Sequence, residues 1–159
     1  MRRALGLELP SALCLTRQKV PFLKLPRDKV ALAVKGAYIV RDVPAFDLII
    51  IATGSEVSLA LAAADQLKNF KVRVVSMPCW ELFAEQPDAY RNEVLPKNIT
   101  KRVSIEAGTT LGWERYVGNR GLVIGIDHYG ASAPAEVLAE TYGFTVEKVV
   151  QRISQCPFA

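Results

Sequence analysis

The stretch Phe46-Asp47-Leu48-Ile49-Ile50-Ile51-Ala52-Thr53-Gly54-Ser55-Glu56-Val57 decides how the rest of the chain is read. Apart from Asp47, Phe46 to Ala52 is an apolar run with three consecutive isoleucines. A solvent-facing strand would alternate polar and apolar residues, so the run predicts a central strand covered on both faces. Thr53-Gly54-Ser55 breaks the strand. From Glu56 to Lys68, Val57, Ala60, Leu61, Ala64 and Leu67 recur at three- and four-residue spacing, which predicts an amphipathic helix. Ser55 is the expected N-cap, and Glu56 in the first turn suits the helix dipole.

Working outward, the same alternation repeats. Strands are expected at Lys71–Ser76, Arg102–Ala107 and Leu122–Ile126, and short helices from Pro87 to Val94 and from Thr110 to Val117. Two last helices, at Ala133–Tyr142 and Thr145–Ile153, are separated by Gly143-Phe144, with Ser132 expected to cap the first of them. Upstream, Gly36–Asp42 reads as a strand closed by Pro44, and residues 10–16 as a short buried strand. Between them, residues 19–35 hold two prolines and several charges and have the texture of a linker. The Gly36–Asp42 strand is joined to Phe46–Ala52 by about three residues, too few for a crossover, so any pairing between them is antiparallel. The expected fold is a three-layer α/β/α domain around a mostly parallel five-stranded sheet with one antiparallel strand.

Composition narrows the function classes. The chain has 159 residues, 50% hydrophobic and 23% charged, which suits one domain with a proper core. Its net charge of +4 is unevenly placed: residues 1–29 carry +5 and residues 30–159 carry −1. A basic arm on a near-neutral body, without interleaved aromatics, is not the pattern of a nucleic-acid binder. No apolar run approaches the roughly 18 residues of a membrane span. Met1-Arg2-Arg3 imitates the start of a signal peptide, but Glu8 and Pro10 interrupt it. Three widely spaced cysteines (Cys14, Cys79, Cys156) suggest neither a disulfide framework nor a zinc site, and the expected location is the cytoplasm. A single histidine, His128, rules out multi-histidine metal sites.

Few residues stand out as candidates for chemistry. The Thr53–Glu56 turn has the strand–turn–helix form of a phosphate-binding turn. It carries one glycine rather than three, and Glu56 would repel a pyrophosphate. Glu106 and Asp127 fall at the carboxyl ends of parallel strands, where a carboxylate pair could do acid–base work. With no motif tied to them, loop hydrogen bonds are the expected role. His128 reads as a loop side chain, and the cysteines as structural. Arg17, at the end of the first predicted strand and followed by Gln18, is the strongest single candidate, since an arginine fork suits bidentate phosphate recognition.

Taken in order, several blocks resemble the C-terminal portion of transketolase. They are Pro10-Ser-Ala-Leu-Cys-Leu-Thr-Arg-Gln18, Ile50-Ile-Ala-Thr-Gly-Ser-Glu-Val57, Val74-Val-Ser-Met-Pro78, Val103-Ser-Ile-Glu-Ala-Gly108, Tyr129-Gly-Ala-Ser-Ala-Pro-Ala-Glu136 and Tyr142-Gly-Phe-Thr-Val-Glu-Lys-Val149. The resemblance spans about residues 4–153. It implies residues 1–18 as the terminal strand of a pyrimidine-binding domain missing from this chain, 19–35 as a linker, and 36–159 as the C-terminal domain. The complete enzyme of this family is a homodimer that uses thiamine diphosphate and a divalent metal such as Mg. It moves a two-carbon ketol unit from a ketose phosphate to an aldose phosphate, and the position of Arg17 contacts the substrate phosphate. The family's Gly-Asp-Gly motif, its activating glutamate and its several active-site histidines have no counterpart here. The expectation is therefore a chain that binds no cofactor and is inactive alone: a fragment, a truncated product or one subunit of a split enzyme. Two alternatives stand beside it. One is the C-terminal domain of a related thiamine enzyme, deoxyxylulose-phosphate synthase or a dehydrogenase beta-type subunit. The other is a stand-alone nucleotide- or metabolite-binding regulatory module using the Thr53–Glu56 turn.

Overall fold

The computed structural model describes residues 10, 12–16 and 18–158. Five strands form one sheet: β1 (Tyr38–Arg41), β2 (Leu48–Ala52), β3 (Val72–Ser76), β4 (Arg102–Ile105) and β5 (Leu122–Ile124). Their order is β1-β3-β2-β4-β5, parallel except for the antiparallel β1–β3 pair. All five residues of β2 are buried, as its apolar run requires. Leu48, Ile50 and Ala52 face one side and Ile49 and Ile51 the other, so one strand feeds both cores. Burying each isoleucine contributes about 2–3 kcal/mol.

Helix α1 (Arg27–Ala31) precedes the sheet. On one face lie α2 (Glu56–Gln66), through Val57, Ala60, Ala63 and Ala64, and the last helix α7 (Val146–Gln155), through Val149 and Ile153. On the other lie α3 (Trp80–Ala84), α4 (Asp88–Val94) and α5 (Glu114–Val117), with Phe83, Val94, Trp113 and Tyr116 in the second core. Helix α6 (Ala135–Tyr142) crosses the carboxyl end of the sheet, and Gly143, left-handed at φ 82°, turns the chain into α7. The three-layer reading of the sequence holds.

Four local expectations are sharpened or corrected. First, Gly36–Asp42 supplies the one antiparallel strand, as expected, and its partner is β3, since both sides of its sequence neighbour β2 are taken by β3 and β4. Residues 42–47 readily cross the roughly 10 Å of two strand spacings. Second, residues 19–35 are not all linker. Pro26 opens α1, a 3-10 turn follows at Leu32–Lys35, and Leu23 and Leu25 pack on the first core. Third, residues 10 and 12–16 form no strand, and Leu13 and Leu15 are 56% and 81% exposed. A β-strand exists only against a partner, and none of the described residues supplies one. Fourth, neither expected serine caps a helix. Ser55 is already helical (φ −63°, ψ −30°) because Gly54 makes the turn at φ 56°. At α6, Pro134 (φ −54°, ψ 146°) occupies the boundary itself and bars the residue before it from helical geometry. Thr145 does cap α7, its hydroxyl accepting from the Lys148 amide at 3.4 Å.

Gly36 locks β1 to the rest. It sits at φ 86°, and a Cβ there would lie 2.3 Å from the Phe83 amide nitrogen and 2.4 Å from the Cys79 carbonyl oxygen. Its own carbonyl accepts from the Cys79 amide at 3.1 Å.

Candidate functional site: the carboxyl end of the sheet

Strand order fixes where a site can form. From β2 the chain leaves through α2 on one face. From β4, the neighbour of β2 on the other side, it leaves towards α5 on the opposite face. Two connections that diverge from adjacent strands leave a crevice beyond the strands' carboxyl ends, the usual ligand position in an open α/β sheet. A crevice of about 320 Å³ lies there. Its polar rim is Gln18, Ser55, Glu56 and the Ala107 backbone. Leu59 of α2, Leu138 and Tyr142 of α6, and Phe144 form the apolar wall.

Glu56 is half-buried at the first position of α2. Its Oε1 accepts from the Ser55 hydroxyl at 2.7 Å, and Oε2 accepts from the Ala107 amide at 3.4 Å. The carboxylate thus reaches from the β2–α2 turn to the loop after β4.

Glu106 and Asp127 are each engaged locally. Glu106 accepts from the Trp113 indole at 2.7 Å, which ties the end of β4 to α5. Asp127 accepts from the Thr110 amide (2.8 Å), the Thr110 hydroxyl (2.7 Å) and the Thr109 hydroxyl (3.2 Å). These bonds, the Thr110 amide foremost, hold its carboxyl below the usual carboxylate range. Both are loop hydrogen-bonding residues, as expected. His128 donates from Nδ1 to the Tyr129 carbonyl at 2.8 Å, and its ring meets Tyr142 edge-on at 4.9 Å. Cys14, Cys79 and Cys156 are free thiols. Burial pushes the Cys79 and Cys156 thiols up, which makes them poorer nucleophiles. Arg17 lies outside the described residues; its neighbour Gln18 borders the crevice.

Sequence reasoning passed over two arginines at the opposite end of the sheet, Arg73 buried and Arg102 half-buried. Arg73 makes a bidentate pair with Asp42 (Nε–Oδ1 2.9 Å, Nη2–Oδ2 2.8 Å), stacks over Phe46 and donates to the Glu93 carbonyl at 2.6 Å. Arg102 donates to the carbonyls of Ile99, Tyr116, Leu95 and Pro96 at 2.8–3.3 Å. The available signal was an arginine inside an otherwise apolar strand, Lys71-Val-Arg-Val-Val-Ser76. The apolar wall of the crevice was also missed, because Leu138 and Phe144 read as ordinary helix-face and turn residues.

Residues 36–145 match the family model described as Transketolase-like TK C-terminal domain. Transketolase 7 from Craterostigma plantagineum is 51% identical over 150 residues, covering 90% of this chain and 22% of that protein. The chain thus spans about a fifth of the length of such relatives. Among solved structures, transketolase from Leishmania mexicana superimposes with a TM-score of 0.73 at 47% identity, over 80% of this chain and 19% of that one. A split gene transketolase, an inactive beta4 tetramer, shares the fold at 18% identity (TM-score 0.68, 88% of this chain and 47% of that one). The ordered blocks, the sheet order and these likenesses agree, and the chain belongs to the transketolase family as its C-terminal piece.

Proposed function

We propose that this chain serves as the C-terminal domain of a thiamine diphosphate- and divalent metal-dependent transketolase, acting in the cytoplasm within a homodimeric complete enzyme. One observation carries the reading: half of all residues are identical across 150 positions to a transketolase of which those positions are only 22%. The remaining domains come either from the same longer polypeptide or from a partner subunit. Among the described residues no three His, Cys, Asp or Glu side chains gather to hold a metal ion, and the sequence lacks Gly-Asp-Gly. The residues present do not fit the metal–diphosphate site, so this chain's role in the reaction lies elsewhere.

That role is substrate binding and assembly. Arg17 presents a fork of N–H donors suited to two oxygens of a sugar phosphate. A contact made equally in ground and transition states lowers KM and leaves kcat unchanged. Residues 1–18 would complete the sheet of the neighbouring domain. Support comes from Leu13 and Leu15, whose exposed side chains are what a strand presents when its sheet is elsewhere.

Calorimetric titration of the 159-residue chain with thiamine diphosphate and Mg²⁺ is expected to show no saturable binding. Micromolar binding would overturn the assignment of the cofactor site to other domains. In a complete enzyme carrying this sequence, Arg17→Ala should raise KM for phosphorylated donors at least tenfold with kcat little changed. An unchanged KM removes Arg17 from the phosphate site.

A further inference from the structure

We infer that the crevice between the β2–α2 turn and α6 is a binding site for a small cationic amphiphile, a primary ammonium on a short apolar chain or ring. Three features lead there. Its volume of about 320 Å³ is at the small end of ligand sites, enough for a body of six to eight carbons. The wall facing the rim is apolar, with Leu59, Leu138, Tyr142 and Phe144 supplied by separate turns of chain. Among the described residues the rim carries one full charge, the Glu56 carboxylate, and no lysine, arginine or histidine forms an ion pair with it.

The charge sets the ligand class. An ionised carboxylate offers about four acceptor positions. Here Oε1 uses one for the Ser55 hydroxyl, and Oε2 makes only the long 3.4 Å contact with the Ala107 amide. Acceptor capacity is left over on the crevice side, and an ammonium with three N–H donors can use it. The positive end of α2 opposes a cation by about half a charge, and the full charge of Glu56 outweighs it. An anion of the same shape meets the Glu56 carboxylate instead, which favours the ammonium over a carboxylate of equal size. The apolar wall then selects against small hydrated cations, which gain nothing from it. The site stands independently of the ketol-transfer reading.

The test compares three probes of equal shape on the full chain: n-hexylammonium, n-hexanol and hexanoate, followed by backbone amide NMR. Hexylammonium should shift the Ser55, Ala107 and Leu138 amides saturably, with hexanol at least tenfold weaker and hexanoate weaker still. Glu56→Gln should remove the preference for the ammonium over the alcohol without altering the fold, and Leu138→Trp, which fills the slot, should weaken all three. Equal binding of hexanoate and hexylammonium to the wild type would overturn the charge assignment. Absence of saturable binding by hexylammonium would overturn the site. Both outcomes are read on the unaltered protein, so neither depends on a variant folding.

Discussion

The two ends of the sheet are held by different main anchors. At the amino end of the parallel strands, arginines bind backbone carbonyls: Arg73 those of Glu93 and Val94, Arg102 those of Leu95, Pro96, Ile99 and Tyr116. At the carboxyl end, carboxylates accept from backbone amides and side-chain donors: Glu56 from Ala107, Asp127 from Thr110, Glu106 from the Trp113 indole. Chain polarity explains the arginine end. Loops entering parallel strands come from helix C-termini, whose last carbonyls lack partners, and Glu93, Val94 and Leu95 are such carbonyls at the end of α4. The ends differ in finish as well. Both arginines are drawn inward onto backbone carbonyls, whereas Glu56, at the start of α2, lines the crevice at the other end.

The largest effect should come from Gly36, the one place where the carboxyl end is as tightly closed as the other. Gly36→Ala adds a positive-φ penalty to backbone overlaps near 2.3 Å and should lower stability by about 4 kcal/mol in urea denaturation. A loss under about 1 kcal/mol would show that the β1–α3 seam yields. Next, Arg73→Met keeps the stem but removes the bidentate pair with the solvent-accessible Asp42 and leaves the Glu93 carbonyl without its donor, for an expected loss of about 3 kcal/mol. Arg102→Met should cost less, about 2 kcal/mol. It gives up hydrogen bonds to neutral carbonyls only and relieves the burial that lowers the Arg102 pKa.

Asp127 gives the contrast its pH signature. Its folded-state pKa is depressed, so its contribution is present above the unfolded-state value and is lost as pH falls through the folded one. Asp127→Asn should flatten the acid side of the stability–pH curve and loosen the Thr109–Thr110 loop, visible as faster amide exchange at Thr110. An unchanged acid limb would mean that the loop does not depend on the charge. Smallest of all, Glu56→Gln should leave the thermal midpoint nearly as it is, within about 0.5 kcal/mol. If it costs as much as Arg73→Met, the carboxyl end is a structural lock rather than an open site.

How much of this could be read from residues alone follows the range of the forces involved. The β2–turn–α2 unit was legible because its signals are local: a doubly apolar run, a glycine, then a three-to-four periodicity. The partner of β1 was not, because pairing with β3 is settled by what already occupies the flanks of β2. Residues 10–16 read as a buried strand because local pattern reports the wish to pair, not the presence of a mate. Arg73 stands as a charge inside an otherwise apolar strand, a signal that does not name its partner. Its burial depends on Asp42, 31 positions away. At the site, the roles of Glu106 and Asp127 in loop hydrogen bonding were foreseeable from position, while the crevice required α6 to fold across the strand ends.

The sheet's two edges bear on how this piece behaves in isolation. Between Ile39 and Arg41 the pairing of β1 with β3 slips by one residue, so the outer strand is bulged at Val40, and the opposite edge, β5, is only three residues long. A bulged strand and a very short one are poor templates for adding strands from another copy. Self-association of the chain is therefore expected to start not from the sheet but from the exposed Leu13, Leu15, Val20 and Phe22 ahead of it. Replacing those four with polar residues is the direct route to a monodisperse preparation of the domain.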